Sequence, residues 1–380
     1  MTGNTPQKIR VHLVTDEFSL GGGIEHIYQL TRGLGDFHFK VFGEPGLGVA
    51  KFKNLGNVDI HDRGYHPSSV LKGNPDLIHI HHLKPLASFF KNPLKKYPVP
   101  IIYTAHGLHI HKYEFHHTVA ASLKYFLRFQ LEKRILPKTD RVIAVSLEDK
   151  DFLETYYRLN QVTYLTNGID STRLINRKID EPWEDLRKRL GLPMECFIFV
   201  TVARFDFQKG YDILIKAISK IRHELDKSPK RCLFVWVGDG ETVEDMKRLS
   251  HRLSVSSYIR FVGARTDGFD FIRAGDVCIL PSRWEGLPIV LLETGLLKIP
   301  VIASDTYGNR EIIKKDMGIL FKNQDEEELG RVILDVLLNR GDRDNMARWV
   351  ENLYQEVELN YNLGKMLSGL RDIYRSYHFK

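Results

Sequence analysis

The chain is predicted to be an α/β protein built from two Rossmann-like domains, and three observations carry this. Its 380 residues are more than one hydrophobic core usually serves. Short apolar runs alternate with longer amphipathic ones, the pattern of parallel sheets with crossover helices. The alternation pauses at IDSTRLINRKIDEPWEDLRKRLGLP (169–193), a polar stretch with two prolines, and a new strand follows. The expected division is 1–172, 173–360, and a terminal segment 361–380 that packs back on the first domain. A ligand cleft is expected between the carboxyl ends of the two sheets.

The strands read as IRVHLV (9–14), DLIHI (76–80), PIIYT (100–104), RVIAV (141–145), FIFVTV (197–202), LFVWV (233–237), YIRFVG (258–263), VCIL (277–280) and PVIAS (300–304). Strands this apolar are expected to be covered on both faces. Helical periods fall between them, at 24–34, 123–136, 211–221 and 325–339, and YNLGKMLSGLRDIYRSY (361–377) adds a last amphipathic helix. No repeat or low-complexity tract interrupts them.

Hydrophobic residues make up 43% and charged residues 27%, ordinary values for a globular protein. No apolar run reaches the roughly 18 to 20 residues of a membrane helix. The start, MTGNTPQKIRVHLV, lacks the layout of a secretory signal, so a cytoplasmic protein is expected. Cys196, Cys232 and Cys278 stand singly in apolar stretches and read as reduced core residues. The net charge of +7 is uneven. Residues 1–172 hold 21 Lys and Arg against 16 Asp and Glu, and 13 of the 16 histidines. A basic half suits a phosphorylated acceptor, an anionic membrane or nucleic acid; a surplus of surface lysine explains it equally well.

SRWEGLPIVLLETG (282–295) ends a strand, turns, and begins a helix with Pro288 in its first turn. Such a helix start suits a phosphate, and Gly286 permits close approach. Glu285 and Glu293 stand at its two ends, where carboxylates would accept hydrogen bonds from sugar or ribose hydroxyls. Two solvated surface carboxylates are the plain alternative. In VARFDFQKGYDILIKAI (202–218), Arg204 and Lys209 lie between a strand and a helix, a placement suited to clamping a diphosphate. SLGGGIEHIYQL (19–30) puts Gly21, Gly22 and Gly23 before a helix, but His26 stands where the dinucleotide fingerprint needs its third glycine. Gly238 and Gly240, in WVGDGETVEDMKRL (236–249), admit a base or ribose, or simply make a strand–helix turn.

The histidines of HIHH (79–82) and AHGLHIH (105–111) sit at strand ends, where α/β folds place active sites. His106, His109 and His111 do not match a standard zinc spacing, so no metal site is assigned. His106 is expected to hydrogen-bond substrate; Asp16, His81, His82 and His109 are the acceptor-side candidates. His116 and His117 carry no signal.

Together these stretches resemble the family 4 retaining glycosyltransferases of GT-B fold. The resemblance covers almost the whole chain. It rests on the E-x7-E spacing of Glu285 and Glu293, with GGIE (22–25), His106 of TAHG, Arg204 and Lys209, AVS (144–146), NGID (167–170), GDG (238–240) and FVG (261–263) in family order. It implies that Glu285 and the backbone of Gly286 and Leu287 hold the donor sugar. Pro288, Ile289 and Val290 face the diphosphate, and Glu293 binds the ribose. Arg204 and Lys209 neutralise the leaving diphosphate. Gly22, Gly23, Gly238 and Gly263 border the donor, and His106 reaches the sugar. The donor is then a nucleotide sugar, UDP favoured over GDP, and no cofactor or metal is needed. One departure is Tyr307 in DTYGNREII (305–313), where the family often has a glycine; Glu311 still aligns.

The acceptor is expected on the first domain: a glycan or glycolipid met at the inner face of an anionic membrane. KNPLKKYP (91–98) and LKYFLRFQLEKRILPK (123–138) suggest that contact, although 123–138 also reads as a buried amphipathic helix. A glycoside hydrolase would need two carboxylates about 5 Å apart across the scissile bond, which a pair straddling a helix start fits poorly. No nucleic-acid module or aromatic platform accompanies the basic stretches, so no nucleic-acid partner is assigned.

Overall fold

The computed structural model describes residues 8–19, 21–91, 96–115, 118–172, 181–338 and 343–378. His116, His117, residues 92–95 of the basic run at 91–98 and part of the polar stretch at 169–193 lie outside them. Two units form: 1–168 with 363–380, and 169–362. The expected limits stood at 172 and 360, a few residues away.

The first unit has seven parallel strands: β1 (Ile9–Glu17), β2 (Phe37–Glu44), β3 (Val58–His61), β4 (Leu77–Ile80), β5 (Ile101–Ala105), β6 (Arg141–Ala144) and β7 (Val162–Tyr164), in the order β3-β2-β1-β4-β5-β6-β7. Around them run α1 (Gly22–Gly33), α2 (Pro67–Leu71), α3 (Leu83–Phe89), α4 (Val119–Ile135) and α5 (Leu147–Tyr156). Thr118 and Ser146 cap α4 and α5, their hydroxyls accepting from Ala121 N and Asp149 N. The terminal helix Leu363–His378 belongs to this unit, with Met366, Leu370, Ile373 and Tyr374 buried in the same cluster as β1, β2 and α1. α4 is the exception to amphipathic packing. It buries only Ala121, Glu132 and Ile135, so the reading of 123–138 as a buried helix does not hold.

The second unit has six parallel strands: β8 (Phe197–Val202), β9 (Cys232–Val237), β10 (Ile259–Gly263), β11 (Val277–Leu280), β12 (Val301–Ser304) and β13 (Ile319–Phe321), in the order β10-β9-β8-β11-β12-β13. Its helices are α6 (Trp183–Arg189), α7 (Tyr211–Lys220), α8 (Arg222–Lys227), α9 (Val243–Arg252), α10 (Gly268–Ala274), α11 (Ile289–Leu296), α12 (Tyr307–Ile312), α13 (Glu326–Leu337) and α14 (Arg343–Asn360). Arg187 fastens α6 to the sheet. It is buried, donates to Ala274 O and Cys196 O at 2.9 Å, and pairs with Asp276 at 2.7 Å. All three cysteines are free, and burial pushes the Cys278 thiol up to about 12, which makes it an inert core residue.

Four strands went unread in the sequence. β3, β7 and β13 are short edge strands. β2 is interior, but His38 and Lys40 on its half-exposed face break the apolar run.

Candidate active site

In the second unit the residues singled out in the sequence gather at the carboxyl edge of the sheet. Arg204 and Lys209 follow β8, Gly238 follows β9, Gly263 closes β10, and Glu285 follows β11. Lys209 Nζ lies 2.6 Å from Glu285 Oε1, with the two side chains 17% and 6% exposed. That contact spans 76 residues of chain. Ser282 Oγ donates to the same carboxylate oxygen at 2.6 Å. Gln208 Nε2 donates to Trp284 O at 2.8 Å and stands 3.5 Å from Glu285 Oε2.

Sequence reading missed what fixes this pair. Gly210 adopts φ 66°, and a Cβ there would fall 2.0 Å from Pro281 O. A glycine therefore lets the loop after β8 lie directly on the loop after β11. Arg283, buried between them, grips Asp212 with two hydrogen bonds of 2.9 and 2.7 Å. It also donates to Phe207 O at 2.7 Å and lies over the Phe207 ring, 4.0 Å from its centroid. Its backbone N–H donates to Gln208 O at 2.7 Å. Phe205 and Tyr211 stack at 3.9 Å, and Tyr211 donates to Ala203 O. Gly308 closes the third side: a Cβ on it would meet Gly286 O at 2.1 Å.

The other predicted donor residues are placed less tightly. Arg204 is 53% exposed and pairs with Asp206 at 2.9 Å. The other oxygen of Asp206 accepts from the backbone N–H of Lys209, so one carboxylate ties the Arg204 side chain to the Lys209 backbone. Pro288 sits at the cap position of α11, one residue before the expected first turn, and no side chain caps that helix. Gly286, Leu287 and Pro288 are buried, while Ile289, Val290 and Glu293 are half-buried. Glu293 lies close enough to Cys278 to disfavour its ionisation. Gly238 is explained by the protein itself, because a Cβ would meet Ala203 O at 1.9 Å. That favours the strand–helix turn among its two readings. Gly263, at φ 84°, has open space around it.

In the first unit the histidines converge. His81 Nδ1 and His106 Nε2 are 3.0 Å apart, and His26 packs edge-on to His106 with centroids at 4.8 Å. His79 is bonded on both sides, to Tyr374 Oη and Thr104 Oγ1, each at 2.7 Å. Burial holds His79, His81 and His106 well below the usual histidine range, neighbouring histidines adding to it, and holds His26 at about 4 against the pull of Asn167. All four rings are therefore neutral at pH 7. His82 Nδ1 meets Thr15 Oγ1 at 3.1 Å and Asp16 N at 3.3 Å. Gly23 stands against the same imidazole, 3.4 Å from where its Cβ would lie. The Asp16 carboxylate accepts from Tyr65 and pairs with Lys84, both at 2.9 Å. His109 is exposed at the start of a short 3-10 helix. The described residues hold one set of metal-ligating side chains, His26, His81 and His106, with ligand atoms within 4.8 Å of one another. It is not the His106, His109, His111 set weighed from spacing. The close His81–His106 pair within it satisfies one nitrogen of each ring.

Glu25 of GGIE serves the fold, buried with Lys51 at 2.5 Å and Gln29 at 3.0 Å.

Comparison with known proteins bears on these two constellations. Residues 183–355 match the family model "Glycosyl transferases group 1", and residues 9–173 match "Glycosyltransferase Family 4". The chain is 27% identical over 282 residues to the UDP-Gal:alpha-D-GlcNAc-diphosphoundecaprenol alpha-1,3-galactosyltransferase of Escherichia coli, covering 72% of this chain and 68% of that protein. It is 28% identical over 219 residues, 55% of each protein, to the GDP-mannose-dependent alpha-(1-6)-phosphatidylinositol monomannoside mannosyltransferase of Mycobacterium tuberculosis. Among solved structures, Anabaena Alr3699/HepE in complex with UDP-glucose superposes with a TM-score of 0.76 at 20% identity, over 97% of this chain and all of that one. Both family models match, each over one unit, and two parallel Rossmann-like sheets carry the expected motifs at their carboxyl edges: the chain belongs to the family 4 glycosyltransferases, with the GT-B fold.

Proposed function

We propose that the chain transfers a hexose or N-acetylhexosamine from a UDP-sugar to a glycan acceptor, with retention at the anomeric carbon and without a metal. The acceptor is a lipid-linked or cell-surface polysaccharide or lipopolysaccharide precursor, met from the cytoplasm at the inner face of the membrane. The 2.6 Å contact of Lys209 with Glu285 carries the reading. It fixes a cation beside a carboxylate at the edge of the second sheet, where a sugar diphosphate presents an anion beside hydroxyls.

In this reading the diphosphate shares the Lys209 ammonium with Glu285. Arg204, half-exposed and paired with Asp206, adds a second grip, and the start of α11 faces the phosphates. Glu285 accepts from the sugar, with Gly286 and Leu287 beside it, and Glu293 accepts from the ribose. The open space at Gly263 leaves room for the nucleotide. The first unit supplies the acceptor contacts Asp16, His81, His82 and His109. It also supplies His106, whose neutral ring suits a sugar hydroxyl. The acceptor oxygen bonds the anomeric carbon as the carbon–oxygen bond to diphosphate breaks. Its proton passes to the departing phosphate oxygen. Negative charge grows on that oxygen, so fixed cations beside it lower the barrier.

UDP is favoured by the names of the galactosyltransferase relative and of the HepE complex. The mannosyltransferase relative supports the alternative, a GDP-mannose-dependent mannosyltransferase. Turnover of UDP-hexose with the K209A, R204A and E285Q variants tests the assignment. Each is expected to lose about 10²–10³ in rate while remaining folded, and the product should keep the donor's anomeric configuration by proton NMR. Full activity in all three variants would overturn the donor site, and an inverted product would overturn retention.

A further inference from the structure

Three imidazoles meet at the carboxyl edge of the first sheet, and hydrogen bonding does not account for them. His26 stands on α1, His81 follows β4 and His106 follows β5. His26 is 4% exposed and His81 1%. Yet neither nitrogen of His26, and not Nε2 of His81, has a well-formed hydrogen bond among the described residues. Asn167 pulls on the His26 ring without closing such a bond. Burying an unbonded polar atom is costly, and three of them in one cluster point to a ligand.

The spacing suits a metal ion. Nitrogens on one tetrahedral zinc stand roughly 3.3 Å apart, since each lies about 2.0–2.1 Å from the ion. His81 Nδ1 and His106 Nε2, at 3.0 Å, are already near that spacing. One ligand atom from each of the three rings lies within 4.8 Å of the others, so a shift of about 1.5 Å by ring rotation closes the set. An ion would take the place of the proton between His81 and His106, that proton moving to the other nitrogen of its own ring. Two of the three ligands are set by strand ends. The backbone N–H of His81 donates to Val14 O at 2.8 Å. His79, held by Tyr374 and Thr104, lies against the His81 ring with centroids 4.1 Å apart. Three imidazoles with no thiolate or carboxylate select zinc, nickel or copper over magnesium and calcium. Three protein ligands leave a fourth position for water.

We propose that His26, His81 and His106 bind one divalent ion of the zinc class, and that the bound ion withdraws His106 from the sugar, so that metal restrains transfer instead of driving it. The restraint rests on the sugar contact proposed above for His106; the binding does not. Equilibrium dialysis of the whole chain, stripped with EDTA, against Zn²⁺ and against Mg²⁺ tests the site. One tight zinc per chain and no tight magnesium are expected. His26→Phe keeps a ring against His106 and removes both nitrogens, and His26→Leu removes them in a smaller side chain. Each should weaken the zinc by about 100-fold or more, beyond what loss of an outer partner costs, with the urea transition of the first unit kept at neutral pH. Should both variants unfold, cobalt on the unmodified chain decides: intense visible absorption of a four-coordinate ion is expected, and the weak bands of the hydrated ion would overturn the site. In turnover of UDP-hexose, saturating zinc should slow the unmodified chain about tenfold, the worth of one hydrogen bond, and leave His26→Phe at its own zinc-free rate. Zinc held no better than magnesium would overturn the site, as would zinc binding unchanged in both variants, which would place the ion on surface histidines. Full turnover at saturating zinc would overturn the restraint. A chain inactive even in EDTA would lose the function proposed above and the restraint with it, while dialysis still decides the metal site.

Discussion

Arg283 and Asp212 touch no proposed substrate atom, yet they decide where Lys209 and Glu285 stand. Their two hydrogen bonds cross from the start of α7 to the loop after β11. Removing one partner of a buried ion pair leaves a charge uncompensated, at about 3 kcal/mol or more. Arg283→Met is expected to lower the stability of the second unit by about that amount, read by urea unfolding; a change under about 1 kcal/mol would show the pair to be dispensable. Gly308→Ala belongs with it. A methyl 2.1 Å from Gly286 O forces the loop beside Glu285 to move, so activity should fall while α12 stays formed. The sequence displayed Glu285, Lys209 and Arg204 because their spacing around strand ends is local. It hid Arg283, although the residue stands two positions before Glu285, because its partner is 71 residues away. It likewise marked Tyr307 as a departure and missed the neighbouring glycine that fits against Gly286.

At the scale of elements, β4, α1 and the turn after β5 bring four neutral histidines together. Their folded pKa values lie below the ordinary value of 6.5. Between about pH 6.5 and 4 the unfolded chain binds protons that the folded unit refuses. Stability contributed by these rings is thus complete above pH 6.5 and is lost as pH falls, at up to about 1.4 kcal/mol per pH unit for each ring. His26→Gln should reduce the acid slope of unfolding free energy by about one proton; an unchanged slope would place the titration elsewhere. The individual histidines were legible as strand-end residues, but their convergence was not. His26 lies on a helix that pattern reading tied only to glycines. Strands were legible where they are apolar on both faces. β2 was lost because its period-2 pattern carries His38 and Lys40, and the edge strands because three or four half-buried residues make too weak a pattern.

On the scale of the whole molecule, the first unit is completed by the last helix of the chain. Met366, Leu370, Ile373 and Tyr374 are buried there, each contributing about 1.5–3 kcal/mol of apolar burial. Their sum rivals the whole stability of an ordinary domain. A chain ending at Asn362 should therefore lose the first unit while the second still folds, seen as one missing transition in urea unfolding; two intact transitions would contradict it. Amphipathic periodicity announced this helix, and the two-domain plan was legible from the pause near 169–193. The stretch that holds α4 left two readings open, a membrane contact and a buried helix, since exposure cannot be read from a helix whose apolar residues point both ways. The central claim is a second unit that binds a nucleotide sugar through Lys209, Arg204 and Glu285. It is tested most directly by thermal unfolding with UDP, GDP and ADP, each with and without EDTA, on the unmodified chain and on K209A. A nucleotide at about a hundred times its dissociation constant should stabilise by roughly 2.7 kcal/mol. The account predicts a shift with UDP that survives EDTA and vanishes in K209A. No shift with any nucleotide, or one that K209A retains in full, would contradict it.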